Sequence, residues 1–499
     1  MKAVLSCAEM READAYTIKQ CGVPSQALME RAGRAIAEEA ESLLNARGGR
    51  RVLAVCGGGN NGGDGWCAAR ILSLRGFETA VWPLAEPASP DCAAQRALYR
   101  GEVVGGIPPE TDLIIDAIFG TGFRGAPAGV YADAVARING SGAAVVAADI
   151  PSGLNGENGL CDLAVRADVT VAVGEIKRGH LLNDGPDYCG RLVRRDIGIE
   201  LPAPPAASLL EASDVAPLFP PRRRNTHKGS FGEAAILAGS RAYSGAPLLS
   251  ASAALRCGCG YTRLAVPDAL FPPLVGRLPE AILTALPSRD GALCAEEEAL
   301  RALCSAGGIA VGMGCGVSRG VYECVRFLLR EYEGTLILDA DALNSLAAFG
   351  TDALRGHRCR LLLTPHPKEF SRLCEEPVAR VLQEGAALAS RFAEEYGCTV
   401  LLKGCTTIVA DGKRLCFNAE GTPALAKGGS GDVLSGIAAA LAARGAEPFD
   451  CACAASFLLG RAGRLAEKEI GCAESVTASD VAANLPRAIA SLAGSGDIR

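Results

Sequence analysis

The sequence has few of the residues that build zinc sites and disulfide frameworks. It contains only four histidines, which are His180, His227, His357 and His366. The 21 cysteines never occur as Cys-x-x-Cys, and the pairs at 257/259 and 451/453 lack zinc-ligand spacing. Because the cysteines are spread evenly and no signal-peptide pattern follows Met1, we expect reduced, mostly buried thiols in a cytoplasmic protein.

The chain also lacks an apolar run long enough to cross a bilayer. Its longest uncharged stretch, residues 302–318, carries several glycines and is slightly too short for a membrane helix. A net charge of -6 argues against a general nucleic-acid binder. Aromatic residues make up only 5%, whereas glycines number 60, a profile typical of an α/β enzyme with many tight turns. Collagen-like, coiled-coil and disordered chains are excluded.

The sequence does contain two successive runs of alternating strand and helix patterns. In the first run the predicted strands are 51–56, 78–82, 113–116, 143–149 and 169–173, and the predicted helices are 9–47, 64–75 and 89–100. In the second run the predicted strands are 234–237, 261–266, 308–311, 335–338, 361–363 and 398–402, and the predicted helices include 246–255, 430–444 and 450–467. This βαβα alternation predicts parallel sheets with helices on both faces.

A proline-rich segment separates the two runs. Residues 201–205 carry three prolines, and Pro220, Pro221 and the arginine run 222–224 follow. Proline continues neither a helix nor a central strand, so this segment reads as a linker and the arginines as solvated surface. We therefore predict two α/β domains, residues 1–210 and residues 211–499.

A glycine-rich segment over residues 56–65, CGGGNNGGDG, lies between a predicted strand and a predicted helix. Glycines let the main chain turn sharply and approach a ligand, and the amides at a helix N-terminus attract anions. The segment is neither a Walker A loop nor a G-x-G-x-x-G fingerprint, so a purely structural turn stays open. Asn60, Asn61 and Asp64 favour a binding site, because ligands of open α/β sheets bind at the carboxyl ends of strands.

Two further predicted strands end in an aspartate. Asp116 opens the motif DAIFGTG, and Asp149 opens the motif DIPSG. An aspartate at a strand end is often only a cap or turn residue, but three such polar loops in succession favour a shared site. Oxygens from asparagine, aspartate and serine suit a hard cation better than zinc.

These three motifs resemble those of the NAD(P)H-hydrate epimerase (YjeF N-terminal) family over about residues 1–205. That family interconverts the R and S forms of hydrated NADH and NADPH, so the resemblance implies this activity on a Rossmann-like three-layer domain. It implies a potassium site at Asn61, Asp116 and Ser152, and Asp149 as the acid/base of epimerisation. The implied substrate contacts are Asn60, Asn61, Gly62, Gly63, Asp64, Gly120, Thr121, Gly122, Phe123, Arg124, Gly125, Ala126 and Asp149.

A second glycine-rich segment, GGSGDVLSG over residues 428–436, precedes another predicted helix. The amides of Gly429, Ser430 and Gly431 are expected to point at one anion, with Asp432 beside it. A carboxylate in that position can take a proton from a hydroxyl that is being phosphorylated. An aspartate that merely caps the helix is the alternative.

This arrangement resembles the ribokinase-like fold, in which such an aspartate is the base. Further motifs at 227–232, 339–344, 364–369 and 403–407 extend the similarity. Together they resemble the ADP/ATP-dependent NAD(P)H-hydrate dehydratase (YjeF C-terminal) family over about residues 213–495. With its N-terminal half, the whole chain is similar to bifunctional NAD(P)H-hydrate repair enzymes.

The resemblance implies that ADP, or ATP in some members, phosphorylates the ring hydroxyl of the S hydrate, and that loss of phosphate restores NADH or NADPH. Asp432 is then the base. The implied hydrate contacts are Asp432, Ala246, Gly314 and His366, the last of which is otherwise a structural histidine. The implied nucleotide contacts are Lys403, Gly404, Cys405, Thr406, Thr407 and Gly431. Mg²⁺ is expected with the nucleotide, near Asp339, Asp341, Asn344 or Glu369.

Two other functions stay open on the sequence. A vitamin or sugar-alcohol kinase with an accessory nucleotide-binding domain accounts for Asp432 but leaves Asn61, Asp116 and Asp149 unexplained. A nucleotide-binding sensor without catalysis would lack the acid/base residues. For the repair reading we expect NADH and NADPH hydrates and ADP as ligands, no nucleic-acid or membrane partner, and a homo-oligomer.

Overall fold

The computed structural model describes residues 1–492 and divides the chain into two compact units. One unit comprises residues 3–207, and the other comprises residues 1–2 and the chain from Ser208 onward. Residues 493–499, which fall in the predicted second domain, lie outside the described residues. Each unit contains a mainly parallel sheet flanked by helices, which confirms the predicted α/β class.

The N-terminal unit has a central sheet of seven parallel strands in the order β4-β3-β2-β5-β6-β7-β9. The strands of this sheet are β2 (Arg51–Cys56), β3 (Glu78–Pro83), β4 (Glu102–Val103), β5 (Leu113–Ala117), β6 (Ala144–Ala148), β7 (Val169–Val173) and β9 (Arg191–Arg195). Two short strands, β1 (Lys2–Leu5) and β8 (Ile176–Lys177), lie outside it and pair with each other. Its helices are α1 (Cys7–Lys19), α2 (Ser25–Arg47), α3 (Asn60–Leu74), α4 (Pro90–Leu98), α5 (Val130–Asn139) and α6 (Gly185–Cys189). The chain runs outward from β2 to β4 and then returns to β5, so the topological switch point lies between β2 and β5, where ligands of such sheets bind.

Alternating side chains of β2 bury both faces of this sheet. Val52 and Ala54 pack into a core formed with α2 and α3. Leu53 and Val55 point to the opposite face and pack with residues of α5. A strand buried on both faces carries an unbroken apolar run, which is the pattern from which these strands were predicted. The result is the predicted three-layer arrangement.

Two helix boundaries differ from the prediction. The expected helix over 9–47 is two helices, because Gly22 adopts a positive φ of 72° and Pro24 precedes α2. Helix α3 begins at Asn60 rather than near Asp64. Asn60, Asn61, Gly62 and Gly63 therefore lie in the first helical turn, where the first amides have no partner within the helix.

The C-terminal unit has a sheet that contains the run β13-β12-β11-β16-β17-β18-β19-β20-β21, with parallel pairing up to β19 and antiparallel pairing beyond it. Its strands follow the short strand β10 (Ala207–Leu209) and are β11 (Glu233–Leu237), β12 (Tyr261–Pro267), β13 (Ile282–Leu286), β14 (Ser288–Arg289), β15 (Ala292–Leu293), β16 (Gly308–Val311), β17 (Thr335–Leu338), β18 (Arg360–Leu363), β19 (Thr399–Leu402), β20 (Thr407–Ala410) and β21 (Leu415–Asn418). Strands β14 and β15 form a separate antiparallel pair.

Eleven helices accompany these strands. They are α7 (Ala212–Val215), α8 (Ala246–Arg256), α9 (Phe271–Leu274), α10 (Glu297–Arg301), α11 (Arg319–Glu331), α12 (Asp341–Phe349), α13 (Pro367–Leu373), α14 (Val378–Tyr396), α15 (Ser430–Ala443), α16 (Pro448–Ile470) and α17 (Ala478–Ala490). The small residues of α15 let it lie almost wholly within the core. A Cβ on Gly436 would lie 2.0 Å from the carbonyl oxygen of Ser250, so glycine is needed where α15 meets α8. Within residues 1–492, no helix is both long and apolar enough to cross a bilayer.

Candidate active sites

The first site lies at the carboxyl ends of β2, β5, β6 and β7. The glycine-rich turn after β2 is held against the end of β5, since the amide of Gly57 donates to the carbonyl of Ala117 at 3.0 Å. A Cβ on Gly57 would lie 2.1 Å from the carbonyl oxygen of Ile118, so only glycine permits this approach. The turn thereby brings the start of α3 next to the loop that follows β5.

Asn61, Asp116 and Ser152, the predicted potassium ligands, are brought together at this point. Asp116 is fully buried, and its carboxylate accepts hydrogen bonds from the amide of Ser152 at 2.7 Å and from its hydroxyl at 2.6 Å. The Ser152 hydroxyl also accepts from the amide of Phe119 at 2.9 Å. The Asn61 side chain donates to the carbonyl of Phe119 at 2.8 Å. The backbone of Phe119 thus joins Asn61 to Ser152, and Ser152 in turn bonds Asp116.

The carboxylate of Asp116 has no cationic partner among the described residues, since none of their ion pairs includes it. Burial raises its pKa to about 6, although hydrogen bonds from Ser152 and Ile118 pull the other way. Within residues 1–492, no cluster of three or more His, Cys, Asp or Glu side chains is arranged to hold a metal. A set of neutral oxygens around one buried carboxylate instead fits a singly charged hard cation.

Asp149, the predicted acid/base, follows β6 and is bound by a buried lysine. Lys177 is 1% exposed, and its ammonium group forms an ion pair with one carboxylate oxygen of Asp149. The same ammonium donates to the carbonyl of Val173 at 2.7 Å. The Val173 amide donates to the Asp149 carboxylate at 3.1 Å. The sequence prediction did not include Lys177; the signal available was a lysine in a short strand, since buried lysines are almost always paired.

The remaining predicted substrate contacts border these two clusters. Asp64 is partly buried in the first turns of α3, and burial together with the charge of Asp149 raises its pKa well above the ordinary value. Gly120 touches Asn61, because a Cβ on Gly120 would lie 3.3 Å from the Cβ of Asn61. The loop 120–126 is largely exposed, and Phe123 stacks on Phe119 with ring centroids 4.4 Å apart. An exposed loop beside a buried polar centre is suited to cover a ligand.

The second site surrounds the start of α15 in the C-terminal unit. Gly429 has a φ of 97° and precedes the helix, which begins at Ser430. The amide of Ser430, which was expected to face the anion, donates to the carbonyl of Lys427 at 3.4 Å, and the amide of Val433 donates to that of Gly429 at 3.1 Å. The amides of Gly431 and Asp432 therefore precede the helical hydrogen-bond ladder, as an anion site at a helix N-terminus requires.

Asp432 lies in this first turn and is partly buried. Burial and the charge of Asp339 together raise its pKa to about 6, against the opposing effect of Lys403. A carboxylate with a pKa near 6 is still mostly ionised at neutral pH and is a better proton acceptor than an ordinary aspartate. This matches the expected chemistry of a general base.

An ion pair between a partly buried lysine and a buried aspartate lies directly beside Gly431. The ammonium group of Lys403 is 2.8 Å from one carboxylate oxygen of Asp339, and the hydroxyl of Ser435 donates to the other oxygen at 2.8 Å. A Cβ on Gly431 would lie 3.5 Å from Asp339 Oδ2 and 3.7 Å from Lys403 Nζ. Burial opposes the charge on Lys403, but Asp339 and Glu369 raise its pKa. A permanent positive charge thus sits beside the glycine turn.

Two buried hydroxyls in the same region have no hydrogen-bond partner within the described residues. They belong to Thr406, in the loop between β19 and β20, and to Ser430, in the glycine turn. Buried polar atoms are almost always satisfied, so such atoms call for an external partner. Of the other predicted nucleotide contacts, Gly404 and Cys405 are exposed and Thr407 begins β20.

Ala246 and Gly314, predicted to contact the hydrate, lie next to each other. A Cβ on Gly314 would be 3.1 Å from the Cβ of Ala246 and 2.6 Å from that of Tyr243, which is exposed. Helix α8, which starts at Ala246, also contacts Asp432, since the Ser250 hydroxyl donates to the carbonyl of Asp432 at 2.9 Å. Tyr243 was not predicted as a site residue, although an exposed aromatic side chain beside a glycine is a common ligand platform.

His366 lies on the opposite border of this site. It caps α13, where its ring accepts from the amides of Lys368 at 3.1 Å and Glu369 at 3.3 Å. Burial lowers its pKa, and Lys403 adds to the effect. No hydrogen bond or ion pair within residues 1–492 links His366 to Ala246 or Gly314. The helix-capping bonds give His366 a structural role as well as a place near Lys403.

The carboxylates expected near Mg²⁺ differ in availability. Asp339 is occupied on both oxygens by Lys403 and Ser435. Glu369 is 5% exposed and lies 3.8 Å from Lys403, and burial raises its pKa. The other three expected residues are also engaged: Glu369 accepts from the amide of His366 at 2.8 Å, Asp341 from the amide of Gly316 at 2.7 Å, and Asn344 from Arg372 at 2.7 Å.

Comparison with known proteins adds a full-length similarity. Residues 234–487 match the family model described as NAD(P)H-hydrate dehydratase, and residues 25–179 match that of the YjeF-related protein N-terminus. The chain is 38% identical to the bifunctional NAD(P)H-hydrate repair enzyme Nnr of Hyperthermus butylicus, over 94% of this chain and 89% of that protein. It is 36% identical to the Nnr protein of Thermofilum pendens, over 98% and 96% of the two chains.

Among solved structures, the C-terminal unit matches a ribokinase-like superfamily protein from Enterococcus faecalis V583. The two share 22% identity with a TM-score of 0.50, and the match covers 59% of this chain and 99% of that chain. At this identity the likeness speaks to the fold alone, and it confirms the predicted ribokinase-like architecture.

Proposed function

Because the chain belongs to the family of bifunctional NAD(P)H-hydrate repair enzymes, we propose that it restores hydrated NADH and NADPH in two steps, one in each unit. Residues 1–210 interconvert the R and S hydrates, and residues 211–499 dehydrate the S hydrate at the expense of ADP. The observation that carries the proposal is a similarity that spans both units, together with an aspartate of raised pKa or buried ion pairing in the candidate site of each unit.

In the N-terminal unit, Asp149 moves the proton of the ring hydroxyl as the configuration at C6 inverts. Lys177 holds the carboxylate in place and balances its charge in a buried setting. Positioned proton transfer of this kind contributes roughly 10²–10⁴-fold to a rate. Asn60, Asn61, Gly62, Gly63 and Asp64, the loop 120–126 and Asp149 contact the substrate in this proposal.

Asn61, Asp116 and Ser152 would hold potassium, and the uncompensated buried carboxylate of Asp116 supports that assignment. When bound, potassium supplies fixed positive charge beside the substrate. Asn61 and Ser152 share their hydrogen bonds with Phe119, so they keep the loop that begins at Gly120 aligned with the substrate.

In the C-terminal unit, Asp432 takes the proton of the ring hydroxyl. The hydroxyl oxygen then attacks the terminal phosphorus of ADP, and AMP leaves with the electrons of the broken P–O bond. Lys403 and the amides beside Gly431 offset the charge of the transferred group. The ring nitrogen next expels phosphate, and loss of a proton from the neighbouring ring carbon restores the dihydronicotinamide.

Lys403, Gly404, Cys405, Thr406, Thr407 and Gly431 would contact the nucleotide. The unpartnered hydroxyl of Thr406 supports this assignment, since a nucleotide would supply its missing hydrogen bond. Mg²⁺ held by the nucleotide phosphates would lie near Asp339, Asp341, Asn344 or Glu369, where the cation would neutralise phosphate charge. Ala246, Gly314 and His366 would contact the hydrate on either side of Asp432.

The proposal is tested by supplying purified R and S hydrates separately, with ADP, and following the absorbance of the restored dihydronicotinamide. We expect the wild-type protein to restore both, the Asp149→Asn variant to restore only the S form, and the Asp432→Asn variant to restore neither while still interconverting them. No recovery from either hydrate would reject the proposal. Phosphorylation of a vitamin or sugar alcohol instead would favour the kinase alternative.

We further propose that the protein forms a homo-oligomer and that it is located in the cytoplasm. Light scattering on the eluting protein gives the oligomeric state, and fractionation of the source cells gives the location. A monomer at all concentrations would reject the first of these two predictions.

A further inference from the structure

The buried histidine His180 contacts the backbones of both Asp149 and Lys177. It is 2% exposed, and its Nδ1 accepts the amide hydrogen of Lys177 at 3.1 Å. Because an amide can only donate, the ring hydrogen must sit on Nε2. Nε2 lies 2.7 Å from the carbonyl oxygen of Asp149 and therefore donates to it. One imidazole thus bridges the two residues of the ion pair.

The backbone at Asp149 is strained, so its conformation needs stabilising contacts such as the hydrogen bond from His180. Asp149 has a φ of 66°, and the amide of Ile150 donates to the carbonyl of Ala148 at 2.9 Å. That hydrogen bond closes a three-residue γ-turn centred on Asp149, and such turns with positive φ are rare. A non-glycine residue in this region costs on the order of 1–3 kcal/mol and persists only when its surroundings enforce it.

Each polar group of Asp149 is bound by a different neighbour. Its amide donates to the carbonyl of Val171 at 2.9 Å, and its carboxylate is bound by the Val173 amide and by Lys177. His180 holds the one remaining group, the carbonyl. Without the imidazole, the carbonyl oxygen of Asp149 would lose this hydrogen bond.

The imidazole is itself anchored. It belongs to a helical turn over Arg178–His180, and the amide of Gly179 donates to the carbonyl of Gly156 at 2.9 Å. Burial, with the charge of Lys177, lowers the pKa of His180 to about 4, which keeps the ring neutral and the tautomer fixed at neutral pH. The bridge therefore joins one rigid turn to another.

We propose that His180 is a positioning residue for epimerisation, which holds the strained turn at Asp149 and the backbone of Lys177 so that the two side chains stay in register. The inference rests on the proposed role of Asp149. A displacement of about 1 Å at a reacting group can cost roughly 100-fold in rate, so loss of the bridge lowers kcat while substrate contacts on α3 and the loop 120–126 keep KM unchanged.

Three substitutions separate the two hydrogen bonds. His180→Leu removes both. His180→Gln places an amide nitrogen near the position of Nε2 and keeps the bond to the Asp149 carbonyl. His180→Asn places an oxygen near the position of Nδ1 and keeps the bond from the Lys177 amide. His357→Leu is the matched control, because both ring nitrogens of His357 likewise lie within hydrogen-bond distance of backbone atoms, the carbonyls of Cys359 and Tyr396, but in the other unit.

The measurement is kcat and KM for conversion of the R hydrate, with the melting temperature of each variant. We expect His180→Leu to lower kcat about 100-fold at unchanged KM, His180→Gln to recover to within about fivefold of wild type, and His180→Asn to stay near the leucine variant. His357→Leu should epimerise normally. If the leucine variant does not fold, the comparison of glutamine with asparagine still decides.

Glutamine no better than asparagine, or a leucine variant within threefold of wild-type kcat, would overturn the inference. So would a loss in which KM and melting temperature change in proportion to activity, as expected of a purely structural histidine. Asp149→Asn is measured in parallel. If Asp149→Asn epimerises normally, the proposed function of this unit fails; if it is inactive while His180→Leu is normal, only the positioning role fails.

Discussion

The pKa of Asp432 makes a quantitative prediction about dehydration. Burial and the charge of Asp339 together raise this pKa to about 6. The base works only when ionised, so kcat/KM for dehydration should rise with pH and level off above neutrality. With a pKa near 6, about nine tenths of the groups are ionised at pH 7 and about one tenth at pH 5, so the rate should fall roughly tenfold between them. An aspartate with its ordinary pKa would lose little over this range.

Substitution of the neighbours should move this acid limb in opposite directions. Lys403 lowers the pKa of Asp432, so Lys403→Met should shift the limb to higher pH. Asp339 raises that pKa, so Asp339→Asn should shift the limb to lower pH. Asp432→Asn removes the base, should lower kcat/KM by about 10²–10⁴-fold, and should leave the residual rate without an acid limb.

The assay uses the S hydrate with saturating ADP and follows the restored dihydronicotinamide between about pH 5 and 8. Epimerisation by the same preparations, measured without ADP, is the control for folding of the rest of the chain. An unchanged acid limb in Asp432→Asn would refute the assignment of the base. Shifts of the same sign in Lys403→Met and Asp339→Asn would refute the electrostatic reasoning.

Three further predictions concern single contacts. Lys177→Gln removes the ammonium group from Asp149 and should lower epimerisation of the R hydrate about 100-fold while dehydration of the S hydrate is unchanged, which separate assays of the two hydrates will show. Asp116 has a pKa of about 6, and its protonated form carries no charge to attract a cation. The potassium concentration for half-maximal epimerisation should therefore rise about tenfold per pH unit below 6. A half-maximal concentration that does not depend on pH would contradict the potassium assignment. Gly431→Ala should raise the KM for ADP about tenfold at an unchanged melting temperature, because the added methyl group fits at 3.5 Å from Asp339 but covers Lys403. Gly436→Ala is the contrasting variant, since its Cβ would lie 2.0 Å from the Ser250 carbonyl oxygen. It should lower the melting temperature and leave the KM for ADP unchanged.

Most of the central strands in both units could be predicted from sequence because they are largely apolar runs, whereas short or charged strands such as β4 and β9 were not predicted. Residues 113–117 are all buried, and the aspartate at position 116 marks the end of the run. The start of α3 could not be predicted, because three glycines in its first turns argue against a helix on propensity alone. The structure shows why the glycines are there: a Cβ on Gly62 would lie 1.9 Å from the carbonyl oxygen of Gly57. Close packing, rather than flexibility, explains the composition of that turn.

The residues that bond the predicted carboxylates could not be predicted from the sequence. Lys177 is 28 residues from Asp149, and Ser435 is 96 residues from Asp339. No local pattern joins such pairs, since the order of strands in the sheet decides which loops meet. The motifs themselves therefore predict where polar residues cluster, whereas the bonds among them follow only from the fold.

The left-handed turn at Asp149 restricts which amino acids that position accepts. Of the common replacements for aspartate, glutamate keeps the charge but is disfavoured where φ is positive, whereas asparagine and glycine tolerate the backbone but lose the charge that pairs with Lys177. Backbone and side-chain demands therefore leave aspartate alone to meet both. Related sequences should therefore keep aspartate at this position. Asp149→Asn preserves the turn and removes only the charge, so it tests the contribution of the charge alone.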